Sequence, residues 1–346
     1  MNLAIIGSGG IAKTHADAIA LLPDVRLAAI QSRNLEKARE LAAPSGAEVV
    51  ESLETLLANE AIDAVLVATP SGAHAESVLP ALRAGKHVLC EKPLEISTKR
   101  VDAMIAEAKT ADRILAGFFP LRYGVGAQVI HTALQAGRFG KLTFLSARVK
   151  WWRDQAYYGD SSWRGTQALD GGGALINQGI HAVDLIQWLG GTVAETSAFA
   201  GTLAHPGLEV EDTLAACLKF QNGALGTIEA GTSCYPGLDL SLEISGEQGT
   251  AILVNDRIAF WKFAEESPDD EAIRTGTEGG KVGGGASDPL DISCEGHRRQ
   301  IEGFCQAISG TSSTGIIDGH EAGRAVAIVE AIYESSRTGK SQPIQN

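Results

Sequence analysis

Cysteine is scarce and scattered. Cys90, Cys217, Cys234, Cys294 and Cys305 form an odd set with no CxxC pair, which excludes a disulfide framework and a zinc knuckle. Cations are outnumbered, 29 Lys and Arg against 42 Asp and Glu for a formal net charge of -13. That balance argues against nucleic acid or an anionic membrane as the main partner. An anionic cofactor must then be held locally, by backbone amides and a few placed basic side chains. No uninterrupted apolar run approaches the ~18 residues of a bilayer span, and no repeat or coiled coil is visible. Met1–Gly7 runs straight into a strand pattern, with no basic n-region or cleavage site. The expectation is a soluble, cytoplasmic protein with no membrane partner. What is present is an ordinary globular mixture, 44% hydrophobic and 21% charged, over a length that suits about two domains. Glycine is abundant at 40 residues, which points to tight turns and close backbone approaches.

Residues 1–120 alternate short apolar runs with helical patterns, the signature of βαβ units and a doubly wound parallel sheet. Strands are predicted at Leu3–Ile6, Arg26–Gln31, Ala64–Ala68, His87–Glu91 and Ile114–Phe118. Helices are predicted at Ile11–Leu22, Leu35–Ala43, Ser77–Ala84 (ended by Gly85) and Thr98–Thr110. After about residue 120 the period changes. A helix near Val125–Ala136 ends at Gly137, and alternating stretches follow at Leu142–Lys150, Glu195–Gly201, Thr213–Phe220, Ala224–Ala230, Leu238–Ser245 and Ala251–Asn255. They read as a large open, mainly antiparallel sheet in a second, α+β domain spanning 121–319. Residues 267–290, rich in Gly, Asp and Ser, read as a long loop, and a final helix over 320–337 is expected to pack back on the first domain.

Gly7-Ser8-Gly9-Gly10-Ile11-Ala12 lies between the first strand and its helix, the context a dinucleotide fingerprint requires. The first Gly permits the turn, the second lets backbone approach a pyrophosphate, and Ala12 takes the third Gly's place at the helix–strand contact. The helix N-terminus adds amides and a positive dipole end. At the end of the second strand, Gln31-Ser32-Arg33 carries no acid for the ribose hydroxyls. Ser32 and Arg33 suit a 2′-phosphate, which leans the reading to NADP over NAD; the alternative is a Ser–Arg turn opening a solvated helix.

Three further segments carry chemistry. Thr69-Pro70-Ser71 with His74 follows an apolar strand, where open α/β sheets bind ligands. Glu91-Lys92-Pro93 stands at another strand end, and Pro93 biases Lys92 to an extended conformation. A lysine there can donate to a substrate hydroxyl and tune its proton transfer. Then Gly171-Gly172-Gly173 opens a helix in which Asn177, His181 and Asp184 fall at i, i+4 and i+7, away from the stripe of Ile176, Ile180, Val183 and Ile186. His181 has the chemistry of a general base near neutral pH, and Asn177 can orient a substrate hydroxyl. His181 and Asp184 also fit a structural pair, and without further ligands they make a poor metal site, so no metal is expected.

Together these segments, in this order over nearly the whole chain, resemble the Gfo/Idh/MocA family of sugar and inositol dehydrogenases. The resemblance implies a Rossmann domain followed by an α/β domain whose open sheet carries the active site. It also implies that the open sheet often carries an oligomer interface, here of a homodimer or homotetramer. It implies that Lys92 and His181 lie near the nicotinamide and the reacting carbon. It further implies that Trp163 and Arg164 contact cofactor or substrate, and that the Lys92–Pro93 bond is often cis. Inositol-dehydrogenase-like members carry Asp where this chain has Asn177, and an amide cannot accept a proton, so the relay rests on His181 and Lys92. The stretches around Tyr157-Tyr158, Trp163-Arg164-Gly165 and Asn177–His181 are closer to sugar-nucleotide 3-dehydrogenase-like branches.

The expected activity is NAD(P)-dependent oxidation or reduction at a ring carbon of a sugar, polyol or derivative. His181 moves the proton, and Lys92 stabilises the alkoxide as hydride passes to nicotinamide C4. Trp151-Trp152-Arg153 and Tyr157-Tyr158 read either as a sugar-stacking wall, with Arg153 and Tyr158 on substrate, or as strand residues burying in the core. Two alternatives stand beside it: a glycosidase that oxidises C3 transiently with the same Lys92 and His181, and a nucleotide-sensing regulator, which predicts loss of the catalytic pair that this chain keeps.

Overall fold

The computed structural model describes residues 1–159, 163–276, 294–312 and 316–344. Two compact units account for them, Met1–Pro120 with Ser293–Gly323, and Leu121–Ile292 with Arg324–Asn346. Among the described residues the first unit holds six strands: β1 (Asn2–Ile6), β2 (Arg26–Gln31), β3 (Glu48–Val50), β4 (Ala64–Val67), β5 (His87–Cys90) and β6 (Leu115–Gly117). All pair parallel in the order β3-β2-β1-β4-β5-β6. The sequence reading is right in kind and close in bounds for five of them, because strands buried on both faces read as unbroken apolar runs, and it missed the three-residue β3. The order reverses between β1 and β4, and the crevice outside the carboxyl ends at that point is where such sheets bind ligands.

Helix Glu295–Ile308 belongs to this unit and was not read from the sequence. Its buried stripe, Ile301, Phe304 and Cys305, joins Leu3, Ile5, Ile30 and Phe118 in the core. Gln300 accepts from Phe119 N–H (3.0 Å) and its amide donates to Gly117 O.

The second unit holds eight strands among the described residues: β7 (Leu142–Lys150), β8 (Val193–Gly201), β9 (Thr213–Phe220), β10 (Leu225–Gly231), β11 (Ser241–Gly246), β12 (Gly249–Val254), β13 (Arg257–Phe263) and β14 (Gln342–Pro343). Their order is β13-β12-β11-β7-β10-β9-β8-β14, antiparallel except for β7 with β10. Leu214, Ala216, Leu218 and Phe220 of β9 point inward while Thr213, Ala215, Cys217 and Lys219 alternate outward, the period-2 pattern of a sheet with one open face. Phe199, 83% exposed, stands on that outer side. Helix Ile180–Gly190 packs over the inner side.

Two expectations need correction. The loop drawn over 267–290 contains a helix, Asp270–Gly276. Buried Asp270 holds its start, taking Arg138 through both carboxylate oxygens (2.7 and 2.8 Å), Trp261 Nε1–H and Ser267 N–H. Residues 277–290 lie outside the described residues. The last helix, Gly319–Thr338, returns to the first unit only with its opening residues, where Ala322 meets Gly117. From Arg324 onward it belongs to the second unit, because Ser335 and Ser336 take the N–H groups of Ala198 and Ala200 in β8.

Candidate active site

In the first unit, Gly7 closes the turn after β1 at φ +113°, with its N–H on Gln31 O (2.8 Å); a Cβ there would press on the Ala68 carbonyl. Gly9 and Gly10 are exposed where helix Gly10–Ala20 begins, and no side chain caps that helix. Ala12 is buried beneath them. A Cβ on Gly9 would meet nothing within 4 Å, so backbone there is open to a ligand. Thr69 Oγ1, beyond β4, is buried without a hydrogen-bond partner among the described residues. Bare amides at a helix start and an orphaned hydroxyl fit a dinucleotide. At the end of β2 the Ser32 hydroxyl is already engaged, 2.7 Å from Ser8 Oγ and accepting from Asn34 N–H. Arg33 is exposed.

Thr69, Pro70 and the buried Ser71 lead into helix His74–Arg83, which starts earlier than the sequence suggests. His74, a cofactor-binding candidate from its place after the strand, is a buried clasp. Its Nδ1 lies 2.9 Å from Pro93 O and its Nε2 3.0 Å from Thr69 O. Burial lowers its pKa, and a neutral ring donates to one of those carbonyls at a time. Lys92, half-buried, follows β5 directly, and the Lys92–Pro93 bond is cis.

Behind Lys92 lies a group the sequence reading missed. Glu91 Oε2 accepts the Lys92 N–H (3.0 Å). His15 Nε2 stands 2.9 Å from Glu91 Oε1, an ion-pair separation whose angle falls short of a hydrogen bond, and His297 Nε2 stands at 3.9 Å. Burial pushes the Glu91 carboxyl up, but the two imidazoles and Lys92 outweigh it and hold the pKa at about 2. His15, Glu91 and His297 bring three ligand-type atoms within 4.8 Å of one another, with His15 stacked on Phe118.

In the second unit, Ala174–Gly179 is a π-helix leading into Ile180–Gly190, where an α-helix was expected throughout. Such segments recur at functional sites. Gly173 is required at its start, since a Cβ would overlap the Glu211 carbonyl. Glu211 is buried and accepts from Gly173 N–H, Leu175 N–H (both 2.8 Å) and Tyr333 O–H (2.9 Å). Burial raises its pKa to about 7, against the lowering effect of those donors. Asn177 donates through Nδ2 to Asp170 (2.6 Å). His181 is half-buried. Asp184 turns inward to a two-pronged pair with Arg122 at 2.6 and 2.7 Å.

The aromatic segment divides. Tyr158 is buried, with its hydroxyl 2.8 Å from Thr232 Oγ1 and its pKa pushed up to about 12 by burial. That favours the packing alternative for Tyr158. Tyr157, the other half of that pair, carries the cations. Arg164 lies over its ring at 4.4 Å and Arg153 at 5.3 Å, while its hydroxyl accepts from Gln178. Arg153 is buried and donates to Trp152 O; Trp163 is half-buried, 5.5 Å from Arg164. No helix among the described residues is long and apolar enough to cross a membrane.

Residues 1–119 match the oxidoreductase family with the NAD-binding Rossmann fold, and residues 127–252 match the GFO/IDH/MocA C-terminal domain. The chain is similar to the myo-inositol 2-dehydrogenase of Thermotoga maritima, 30% identical over 278 residues, covering 78% of this chain and 80% of that one. It is also similar to the D-glucoside 3-dehydrogenase of Escherichia coli, 29% identical over 248 residues, with 66% and 69% covered. The crystal structure of the WlbA dehydrogenase from Bordetella pertussis, in complex with NADH and UDP-GlcNAcA, matches with a TM-score of 0.91 at 34% identity. That match covers 100% of this chain and 98% of that one.

Proposed function

The chain belongs to the GFO/IDH/MocA family of oxidoreductases, and from that premise we propose that it oxidises a ring hydroxyl of a nucleotide-linked sugar acid. UDP-GlcNAcA, held by the WlbA relative, is the model compound for that class. The observation that carries the substrate class is the stack of Arg153 and Arg164 on Tyr157. Paired guanidinium groups on an aromatic face suit a carboxylate or phosphate beside a sugar ring.

Gly7, Gly9, Gly10, Ile11 and Ala12 hold the dinucleotide, with Thr69, Pro70 and Ser71 beside it. When bound, the nicotinamide supplies the hydride acceptor. His181 takes the hydroxyl proton, Asn177 orients the sugar, and Lys92 stabilises the developing alkoxide. With no acid at the end of β2 and the Ser32 hydroxyl engaged, the exposed Arg33 is the residue that would hold a 2′-phosphate, which supports NADP beside NAD.

The test is turnover of UDP-GlcNAcA with NAD and with NADP by wild type and by Lys92→Met. Wild type is expected to turn over. The variant should lose at least about a hundredfold in kcat while binding NADH normally. Wild-type rates in the variant would remove Lys92 from the mechanism. Turnover of myo-inositol and not of UDP-GlcNAcA would remove the nucleotide-sugar class.

A further inference from the structure

We propose that Glu211 and Tyr333 are positioning residues: together they hold the start of the helix that carries Asn177 and His181, and so set where those two residues stand at the sugar. The inference rests on the reading above, in which His181 takes the hydroxyl proton.

A helix begins with four N–H groups that its own backbone does not serve. Here they belong to Gly173, Ala174, Leu175 and Ile176, and the Asn177 N–H already turns back onto Gly173 O at 3.1 Å. Two residues distant in sequence take all four. Glu211 accepts Gly173 N–H through Oε2 and Leu175 N–H through Oε1, both at 2.8 Å, and Ala174 N–H through its main-chain oxygen at 3.0 Å. Tyr333 Oη accepts Ile176 N–H at 3.3 Å and donates to Glu211 Oε1 at 2.9 Å. Glu211 stands just before β9 and Tyr333 in the last helix, so the pair is assembled only by the fold.

The three glycines before the helix fit this arrangement one by one. Gly171 adopts a left-handed φ of +79°. A Cβ on Gly172 would run into the Tyr333 phenol, and one on Gly173 into the Glu211 carbonyl. Two of the three glycines thus make room for the pair that caps the helix.

The carboxylate is suited to the place by chemistry as well as shape. Its two oxygens meet three donors, Gly173 N–H, Leu175 N–H and Tyr333 O–H, and an ionised carboxylate only accepts. An amide of the same shape can keep its oxygen on the doubly used side but then sets an NH2 against the Gly173 N–H. Burial raises the Glu211 pKa to about 7, so the charge costs stability. Such a conflict between stability and placement is of the kind active sites carry.

The test compares wild type, Glu211→Gln and Tyr333→Phe in turnover of UDP-GlcNAcA with NAD. It is run above the Glu211 pKa of about 7, with circular dichroism to show that each variant is folded at the assay temperature. Glu211→Gln should lose about tenfold to a hundredfold in kcat, with KM and NADH affinity within about threefold of wild type. A displaced helix start misplaces the base, while Arg153, Arg164 and the glycine turn lie on other segments. Tyr333→Phe takes the acceptor from Ile176 N–H and leaves the carboxylate with its amides, so it should lose about threefold to tenfold in kcat. A merely structural cap would lower Tm and leave the kcat of the folded variant intact. Wild-type kcat in folded Glu211→Gln therefore overturns the proposal. If that variant does not fold, Tyr333→Phe decides: a reduced kcat supports the proposal and a wild-type kcat overturns it.

The functional reading fails by itself if His181→Ala keeps turnover, or if neither UDP-GlcNAcA nor myo-inositol is used. Placement is then read by NMR. The Gly173 and Leu175 amide protons should lie downfield in wild type and move upfield in Glu211→Gln, and the His181 ring signals should move with them. His181 ring signals identical in the two proteins overturn the proposal.

Discussion

Glu91 and Glu211 are both buried carboxylates, each set behind the backbone of a segment that carries candidate catalytic residues, and yet Glu91 is ionised at neutral pH while Glu211 titrates there. Glu91, behind Lys92, sits at about 2; Glu211, behind the Gly173 turn, sits at about 7. Burial pushes both upward by the same physics. The difference is the partners. Glu91 faces two imidazoles and Lys92, whereas Glu211 is met by two backbone amides and a phenol hydroxyl. Neutral donors soften the cost of burying a carboxylate without cancelling it, while groups that can carry positive charge reverse it. The first unit thus holds a fixed anion behind its lysine, and the second holds a group poised to titrate behind its π-helix.

The sharpest way to break this comparison is Glu91→Ala. It leaves His15 and His297 facing a void and removes the acceptor for Lys92 N–H. The expected loss is about 3–5 kcal/mol of stability at pH 7, measured by urea denaturation. The pH sign follows from the depressed pKa. The stabilisation is complete above about 4.5 and fades as pH falls toward about 2, so variant and wild type should converge in acid.

Glu211→Gln should do the reverse. A carboxyl raised in the folded state keeps a proton the unfolded chain has released, so wild-type stability falls as pH rises from about 4.5 to about 7. Relative to wild type the variant should gain roughly 2–3 kcal/mol between pH 5 and pH 8.5, read from Tm at both values. A variant whose difference from wild type does not change with pH would mean that Glu211 stays ionised throughout.

The smallest effect is expected where the charge stays in water. Arg33→Ala should weaken NADPH binding about fivefold, near 1 kcal/mol, and leave NADH unchanged in a fluorescence titration. Equal weakening of both cofactors would remove the 2′-phosphate assignment.

Much of the fold was legible because burial writes itself into the period of the chain. Arg26–Gln31, Leu142–Lys150 and Thr213–Phe220 were bounded to the residue. Where the period is interrupted, the reading failed. β13 follows a register slip at Ile252/Leu253, and its burial no longer alternates cleanly. Helix Glu295–Ile308 carries two glutamates and two arginines around a narrow apolar stripe. For the site, the candidates proposed for the chemistry, Lys92, Asn177 and His181, could be named from their motifs. The residues behind them could not. His15, His297, Glu211 and Asp170 arrive from other elements, and no local spacing encodes their approach. Asp170 alone left a trace, an acid directly before three glycines.

The π-helix at Ala174–Gly179 has an arithmetical consequence. A π turn is an α turn with one residue to spare, so this stretch is a place where the chain has room to lose a residue and remain helical. Shortening it by one would turn everything from Ile180 onward by about 100° about the helix axis. His181 would then exchange its outlook with a neighbour while the core residues Val183 and Ile186 lost theirs. Direction in this segment is kept by counting, and the spare residue is the count.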